Sequence, residues 1–493
     1  MRQETLRRQI AMGVVPKDTR LAPRPPGVPA WDSLSPDEKK VAARLMEVFA
    51  GMLACQDAQF GRLVAELQRM GKLDNTLVLF IEGDNGGSAE GGLSSSSNWI
   101  AGFANGSHEP VAELVKDLDK LGGPDSYPIY PVGWAMAMNA PFPWMKKIAS
   151  HLGGTRNGLV VSWPGHIVNP GSVRSQFHHV IDIAPTILEA ARVPAPDVVD
   201  GAPQQRFDGM SMAYSFMAPA APDRRTTQYF EMQGTRALYD HGWLASTTPR
   251  KAPWMMTNPP GSPVDYKWEL YDLTHDFSQS RDIARRNPAK LAELKALFDR
   301  EARANSVFPL DDRESYQRAS AAQAVGMDGR EFTYWGADVS VTDDVAPPLR
   351  RRSFSLVAEV EIPVGGGSGV LAAYGGHFAG WSFFMRGGRP VVRHAVSQLA
   401  GDQFEVAAGA ALPSGRATIR FDFNRDSAGP GSGGTVRISA GGREFAAGRI
   451  ARTAWTMAGL GETFDVGRDT GDPVVEGSVP FNGVIRKLAV LPR

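Results

Sequence analysis

The sequence predicts an α/β domain that carries a small antiparallel sheet subdomain and is followed by an all-β sandwich. Three observations support this fold class. An apolar, β-branched run from Thr76 to Ile81 reads as a buried strand and ends at an acidic, glycine-rich corner. Residues 226–310 combine β-rich runs with an amphipathic helix. Beyond residue 350, short strand-like runs alternate with turn residues, which is typical of a sandwich.

The composition indicates a soluble globular protein with more than one domain. The chain has 493 residues, above the ~250 to 300 residues that one core usually serves. Basic and acidic residues number 53 each, so we expect no general attraction to nucleic acid or anionic membranes. The sequence has no apolar run of ~18 residues and no convincing secretory signal, so we expect no membrane span and a cytoplasmic location by default.

The patterning divides the chain into four predicted parts. Residues 1–225 read as a partial α/β domain, and residues 226–310 read as an antiparallel sheet with a packed helix. Residues 311–350 have weak periodicity and are predicted to be a linker. Residues 351–493 form the predicted β-sandwich, in which hardly any helix is required.

A long helix is predicted before the first strand. Ser35 and Glu38 form a capping-box pattern at its start. Apolar residues then recur at helical spacing from Val41 to Leu67, so we expect this stripe to pack against a core. Cys55 is the only cysteine and lies on the stripe, which favours a small core residue over a nucleophile.

The corner after the first strand is a candidate metal site. Asp84 and Asn85 follow the strand directly, within a Glu-Gly-Asp-Asn-Gly-Gly stretch. Their carboxylate and amide oxygens are hard ligands suited to Ca²⁺ or Mg²⁺. The alternative interpretation of Asp-Asn-Gly is a tight turn without a ligand.

A second polar corner precedes a second apolar strand. The segment GGTRNGLVVSWPG spans residues 153–165, and Lys146, Lys147 and His151 stand just before it. By themselves, the two adjacent lysines are compatible with an ordinary surface charge pair. His151 would hydrogen-bond to a substrate or serve as a satisfied structural histidine.

The ordered combination of these segments resembles the sulfatases of the alkaline phosphatase-like superfamily. The segments that carry the resemblance are LDNTLVLFIEGDNGGSAEGG, KKIASHLGGTRNGLVVSWPG and WELYDLTHDFSQSRDIA. They resemble the family's strand-and-DNG segment, its lysine and GG(T/V)R segment, and its ELYDL signature. Arylsulfatases with a large β-rich tail are similar over nearly the whole chain. The resemblance implies hydrolysis of an organic sulfate ester by a divalent metal, usually Ca²⁺, and a formylglycine nucleophile.

The resemblance also implies roles for individual residues. Asp84 and Asn85 match the family's second pair of metal ligands. Either Lys146 or Lys147 matches the lysine that contacts sulfate, and the Trp-Met-Lys arrangement favours Lys146. Arg156 is expected to anchor its loop by forked hydrogen bonds.

One departure from the family bears on activity. Residues 1–75 lack the upstream aspartate pair and the C/S-x-P-x-R motif that becomes formylglycine, and Cys55 has no following Pro and Arg. Residues 3–20 resemble an internal part of long arylsulfatases, so we expect the chain to begin inside the catalytic domain. We therefore expect half a metal site, absent or very weak turnover by the chain alone, and an upstream sulfatase fragment as a partner.

Two other functions are compatible with the sequence. The chain is a noncatalytic or complementing protein if its β-rich tail binds carbohydrate or another protein. The tail aromatics Tyr374, Trp381, Phe383 and Phe384 would then form a glycan platform, whereas packing in a sandwich core is the alternative. A related phosphatase or phosphodiesterase is a weaker enzymatic alternative.

Overall fold

The computed structural model describes residues 1–83, 85–255, 261–313, 330–343, 345–427, 429, 431–454 and 459–493. The chain folds into two compact units. The first unit consists of Met1–Leu34, Met46–Ala89 and Pro131–Arg313. The second consists of Ser35–Leu45, Glu90–Tyr130 and Glu314–Arg493.

The helices precede most of the strands along the chain. They are α1 (Arg2–Ala11), α2 (Pro36–Arg69), α3 (Val111–Lys116), α4 (Val132–Met138), α5 (Leu152–Thr155), α6 (Ile183–Ala191), α7 (Tyr214–Met217) and α8 (Pro288–Ala304). None of the described helices combines the length and the apolar composition that a membrane span requires.

The first unit contains short strands in three sheets. They are β1 (Val78–Glu82), β2 (Gly158–Ser162), β3 (Val198–Val199), β4 (Ala202–Pro203), β5 (Thr227–Met232), β6 (Thr235–Asp240), β7 (Trp243–Thr247) and β8 (Trp268–Asp272). The sheets are β1-β2, β3-β4 and β5-β6-β7-β8.

Strand β1 forms where the sequence predicts it but is not buried. It pairs antiparallel with β2, so that Phe80 faces Val160 and Ile81 faces Leu159. Ile81 is 43% exposed and Val160 is 62% exposed, although they lie on opposite faces of this two-stranded sheet. The expectation of a buried strand is therefore wrong, because the described residues leave apolar side chains exposed on both faces of the sheet.

The start of α2 agrees with the predicted capping box. The backbone N–H of Ser35 donates to the Glu38 carboxylate at 2.7 Å, and the backbone N–H of Glu38 donates to Ser35 Oγ at 3.2 Å. These reciprocal bonds satisfy two backbone donors that the helix itself leaves unpaired.

The predicted apolar stripe of α2 is buried only near the start of the helix. Val41 and Leu45 are buried, whereas Met52 is 54% and Leu63 is 57% exposed. Cys55 is also exposed, so the expectation of a core cysteine is wrong. The periodicity is real, but among the described residues no element covers the second half of the stripe.

The antiparallel subdomain confirms the prediction of a small sheet with a packed helix. Its order is β5-β6-β7-β8, with one strand more than the sequence patterning suggests, because the second β-rich run folds into both β6 and β7. Helix α8 buries Leu294 and Phe298 against Leu238 and Leu270 of the sheet. Apolar residues on one face of the helix thus close the core.

A buried ion pair ties the segment before α6 to the segment before β5. The Asp182 carboxylate is fully buried and accepts from Arg225 Nε at 3.0 Å and Arg225 Nη2 at 2.5 Å. It also accepts from the backbone N–H groups of His179 and Met210, each at 2.9 Å. Burial alone would raise the pKa of Asp182, but these donors lower it.

The second unit contains the remaining strands. They are β9 (Phe332–Trp335), β10 (Val339–Thr342), β11 (Phe354–Ile362), β12 (Gly369–Gly376), β13 (Ala379–Arg386), β14 (Arg389–Ala395), β15 (Gln403–Ala407), β16 (Gly415–Arg425), β17 (Gly434–Ala440), β18 (Arg443–Ile450), β19 (Thr463–Val466) and β20 (Val484–Pro492).

These strands build two six-stranded antiparallel sheets, in the orders β10-β19-β12-β13-β14-β15 and β18-β17-β16-β11-β20-β9. The prediction of an all-β sandwich after an α/β region is confirmed. Tyr374, Trp381, Phe383 and Phe384 are each at most 7% exposed, so they pack inside the unit and form no exposed glycan platform. Strands β9 and β10 lie within the segment predicted to be a linker, and the predicted domain bounds remain a prediction.

Residues 90–130 also belong to the second unit. Asn98 Nδ2 donates to the Phe378 carbonyl and to Gln398 Oε1, each at 2.9 Å. Gln398 Nε2 donates in turn to Ser97 Oγ at 3.0 Å, and the Tyr127 ring lies 5.5 Å from the Phe378 ring. A segment that is distant in sequence thus packs on the sandwich.

Candidate functional site

The corner after β1 is held by two asparagine side chains. Gly86 donates its backbone N–H to Asn157 Oδ1 at 3.0 Å, and Gly87 donates to Asn139 Oδ1 at 2.9 Å. Asn85 is half-buried, and its side chain makes no hydrogen bond to the described residues. Its amide oxygen is therefore available to a ligand, whereas Asp84 lies outside the described residues.

Glycine at position 86 is required by close packing. Gly86 has φ +75°, and a Cβ there would lie 1.9 Å from the Gly153 carbonyl oxygen. A Cβ on Gly153 would in turn lie 2.2 Å from the Pro143 carbonyl oxygen. Backbone segments from the two predicted corners therefore touch directly, which only glycine permits.

The two candidate lysines lie on a turn beside this corner. The Lys146 backbone N–H donates to the Gly87 carbonyl oxygen at 3.1 Å. Asn139 Nδ2 donates to the Trp144 carbonyl oxygen at 3.1 Å, so one side chain joins the corner to the turn. Trp144 and Lys147 have φ of 63° and 76°, which is uncommon for residues with a Cβ. The structure thus brings Asn85 and Lys146 into one region of the first unit, with both lysines half-buried.

His151 lies inside a buried hydrogen-bond network. It is 3% exposed, its Nε2 lies 3.2 Å from Glu269 Oε2, and its Nδ1 lies 2.9 Å from Ser150 Oγ. Thr248 and Tyr271 also donate to the Glu269 carboxylate. Burial alone would raise the pKa of Glu269, but the hydrogen bonds, led by that of His151, lower it to about 2. This arrangement fits the structural interpretation of His151, and its catalytic role remains a prediction.

Arg156 is held by aromatic rings. Its guanidinium lies 4.1 Å from the centre of the Phe277 ring and 5.4 Å from that of Phe142. No side-chain hydrogen bond joins it to the described residues, so the expected forked anchoring is replaced by cation–π contact. The sequence pattern did not indicate this, because Phe277 is more than 100 residues away.

The described residues do not by themselves form a calcium site. No group of three or more His, Cys, Asp and Glu side chains in the described ranges is arranged to hold a metal ion. Asn85 supplies one amide oxygen, far fewer than the ~6 to 8 oxygens that Ca²⁺ takes. A complete site would need Asp84 and further ligands in addition to Asn85.

Asn139 and Asn157 are the site residues that sequence reasoning missed. They contact the backbone of the corner at Gly86 and Gly87, the two residues that follow the candidate ligand Asn85. Asn157 follows Arg156 in the second motif, so its position next to that motif was an available signal. Asn139 lies in a loop-like stretch without a motif, and only the fold shows its role.

Comparison with known proteins places these features in a family context. A family model described as sulfatase matches residues 17–193. An uncharacterised sulfatase of Schizosaccharomyces pombe is 30% identical over 304 residues, which cover 60% of this chain and 50% of the relative. An arylsulfatase of Klebsiella aerogenes is 31% identical over 222 residues, which cover 44% of each chain.

The chain spans about half the length of the curated relatives it matches. Among solved structures, that of Ps i-CgsB is 18% identical and covers 60% of this chain and 50% of its own chain. Its TM-score is 0.37.

Proposed function

We propose that this chain is one part of a sulfuric ester hydrolase, because residues 17–193 match a family model described as sulfatase. The substrate class is an organic sulfate ester, and hydrolysis of its S–O bond gives an alcohol and inorganic sulfate. The observation that carries the proposal is the corner at Asn85, held by Asn139 and Asn157 beside the lysine turn.

Lys146 is the better candidate for the sulfate contact. Its backbone N–H donates to the Gly87 carbonyl oxygen at 3.1 Å, which ties its position to the corner. An ammonium group placed there would bind a sulfate oxygen and stabilise the negative charge that grows on the sulfate during hydrolysis. In this proposal the side chains of Asn85 and Asp84 are ligands of the metal ion.

The nucleophile must come from a second sulfatase segment. The sequence contains no C/S-x-P-x-R motif, and Cys55 is followed by Gln56, Asp57 and Ala58. In the family's enzymes, formylglycine is a modified Cys or Ser side chain; here its hydrate would have to be carried by the second segment and would supply the attacking oxygen, and a metal held by Asn85 and Asp84 would polarise the sulfate. We therefore propose that the chain alone has little or no turnover and is completed by an upstream sulfatase segment.

The exposed apolar surface of the first unit supports this completion. Ile81, Leu159 and Val160 are exposed on the β1-β2 sheet, and Met52 and Leu63 are exposed on α2. Each strand of this sheet also has one edge that is unpaired among the described residues. Apolar faces and open edges are costly in water and are normally covered, here by the proposed second segment.

The test is an activity assay with and without such a segment. The full chain is produced with Ca²⁺ and a formylglycine-generating system, either alone or together with a sulfatase segment that carries C/S-x-P-x-R, and 4-nitrophenyl sulfate is the substrate. Turnover is expected only in the combined sample. Asn85→Ala and Lys146→Ala should abolish it, whereas Lys147→Ala should reduce it less.

Cys55→Ala is the matched control and should leave turnover unchanged, because Cys55 lies outside the corner and alanine keeps a small apolar side chain at its exposed position on α2. Robust turnover by the chain alone that survives Cys55→Ala but is lost in Asp84→Ala would show that a different nucleophile is present. A stable complex without turnover would also contradict the proposal.

A second candidate function is a noncatalytic chain that complements a partner and binds through its β-sandwich. It is favoured by one observation, a positively charged cleft in the sandwich core. The hydrolase proposal does not depend on that cleft, so one chain can have both functions.

A further inference from the structure

A small cleft lies between the two sheets of the sandwich. It has a volume of about 40 Å³ and is lined by Phe354, Tyr374, Trp381, Phe421, Phe423 and Arg425, which define what we call the Arg425 cleft. One water molecule needs ~10 to 15 Å³ of such space, so the cleft holds about three waters or one carboxylate or sulfate group. A well-packed core contains few spaces of this size, so its lining merits a chemical explanation.

Arg425, the last residue of β16, brings an uncompensated positive charge to this cleft. Its Nη2 donates to the Gly429 carbonyl oxygen at 2.7 Å. Its Nε and Nη1 are shielded from solvent and have no hydrogen-bond partner within the described ranges. Burial lowers the pKa of Arg425, and no carboxylate of the described residues pairs with it. Two fixed N–H donors therefore lack an acceptor, which is costly in a partly buried place.

The other polar groups around the cleft are already satisfied. Arg350 pairs with Asp343 at 2.5 Å and lies 5.8 Å from the centre of the Tyr374 ring, and the Tyr374 hydroxyl donates to the same carboxylate. His394 accepts from the backbone N–H of Ala454 at 3.2 Å. Burial lowers the pKa of His394 to about 4, so the ring is neutral near neutral pH. By contrast, Arg425 has two N–H groups, at Nε and Nη1, without a hydrogen-bond acceptor in the described ranges.

We propose that the Arg425 cleft binds the oxyanion group of a small organic anion, either the sulfate of a monoester or a carboxylate. A guanidinium presents parallel N–H donors that match two oxygens of such a group. The lining rings are each at most 7% exposed, so the cleft between them has room for the oxyanion group alone. This binding extends the role proposed for the sandwich and does not depend on sulfate hydrolysis.

The experiment is calorimetric titration of the full chain with phenyl sulfate, D-galacturonate and neutral D-galactose. Saturable binding of phenyl sulfate, D-galacturonate or both is expected, without binding of D-galactose. The first two probes distinguish a sulfate ligand from a carboxylate ligand. Arg425→Gln should weaken binding at least about tenfold, and Arg425→Lys should weaken it less, because lysine keeps the charge but loses the fork.

Arg449→Gln is the matched control. Arg449 lies on β18 in the same sheet, is exposed and pairs with Asp426 at 2.6 Å, so its replacement should leave affinity unchanged. Ala454→Leu tests the cleft by a different route, because Ala454 lines it and a larger side chain should occlude it. Should Arg425→Gln fail to fold, loss of binding in Ala454→Leu decides the question.

The melting temperature separates binding from structure. Saturating phenyl sulfate or D-galacturonate should raise the Tm of the wild-type chain but not that of Arg425→Gln, whereas replacing a purely structural arginine would lower the Tm and leave the response to the ligand intact. Absence of binding by every probe, equal binding of D-galactose, or binding indifferent to Arg425→Gln would overturn the inference. Binding lost in Lys146→Ala but retained in Arg425→Gln would also overturn it, and would indicate instead that the anion binds beside Lys146 at the corner after β1.

Discussion

Asn139 provides a direct test of how the corner is held. Its side chain accepts from the Gly87 N–H at 2.9 Å and donates to the Trp144 carbonyl oxygen at 3.1 Å. Asn139→Ala removes both bonds and leaves a donor and an acceptor unpaired. Because an unsatisfied buried group costs ~1 to 3 kcal/mol, the corner should open more easily by about that amount for the Gly87 bond alone.

Native-state hydrogen exchange measures this opening directly. Each ~1.4 kcal/mol corresponds to a tenfold change, so the Gly87 amide should exchange about 5- to 150-fold faster in Asn139→Ala. Asn305→Ala is the matched control, because Asn305 is exposed after α8 and donates only to the Glu301 carbonyl oxygen. It should change Gly87 exchange by less than about twofold.

The role assigned to Asn139 is refuted if the Gly87 amide exchanges within about twofold of the wild-type rate in Asn139→Ala, since bond loss of this kind must lower protection. Equal acceleration at Gly87 in Asn305→Ala would also refute it, because the effect would then be a general loss of stability. In either case another element would hold the corner.

Three further predictions concern stability, and urea or acid unfolding measures each. Asp182→Ala should lower the free energy of unfolding of the first unit by ~3 to 5 kcal/mol, because its buried arginine partner loses its counter-charge. Gly86→Ala should cost more than Gly83→Ala, since both have positive φ but only the former would place a Cβ 1.9 Å from a backbone oxygen; equal losses would contradict this. The pKa of Glu269 is about 2 in the folded protein, below its ordinary 4.5. The ionised Glu269 therefore contributes about 3 kcal/mol to the free energy of unfolding above pH ~4.5, and this contribution is lost as the pH falls toward 2. Glu269→Gln should flatten that part of the acid unfolding profile.

Local patterns predicted the elements that depend on neighbouring residues. The capping box of α2, the small antiparallel sheet with α8 and the strand-rich tail follow from short-range spacing, and all three form, although the sheet has one strand more than the patterning suggests. The burial of side chains on these elements was predicted less well, because it depends on which distant segments of the chain pack against each element. The apolar stripe of α2 and the run ending at Ile81 have core-like spacing, yet both are exposed in part.

The site shows the same division. The sequence indicated Asp84, Asn85 and the lysine pair, because their order along the chain carries the family pattern. It did not indicate that Asn139 would join the corner to the turn, since no local spacing relates residue 139 to residue 87.

By itself the sequence determined which chemical groups this protein offers: the side-chain oxygens of Asp84 and Asn85, the two lysines Lys146 and Lys147, and the glycines of residues 153–165. It also determined that short strands follow residue 350. It also determined the absence of a C/S-x-P-x-R motif. Only the tertiary structure decided which groups meet, that Cys55 is exposed, that His151 is enclosed by Glu269, and that Arg425 reaches a cleft without an acceptor among the described residues. The physical reason is that residue identity sets the chemistry of a side chain, whereas partners distant in sequence set its burial and hydrogen bonding.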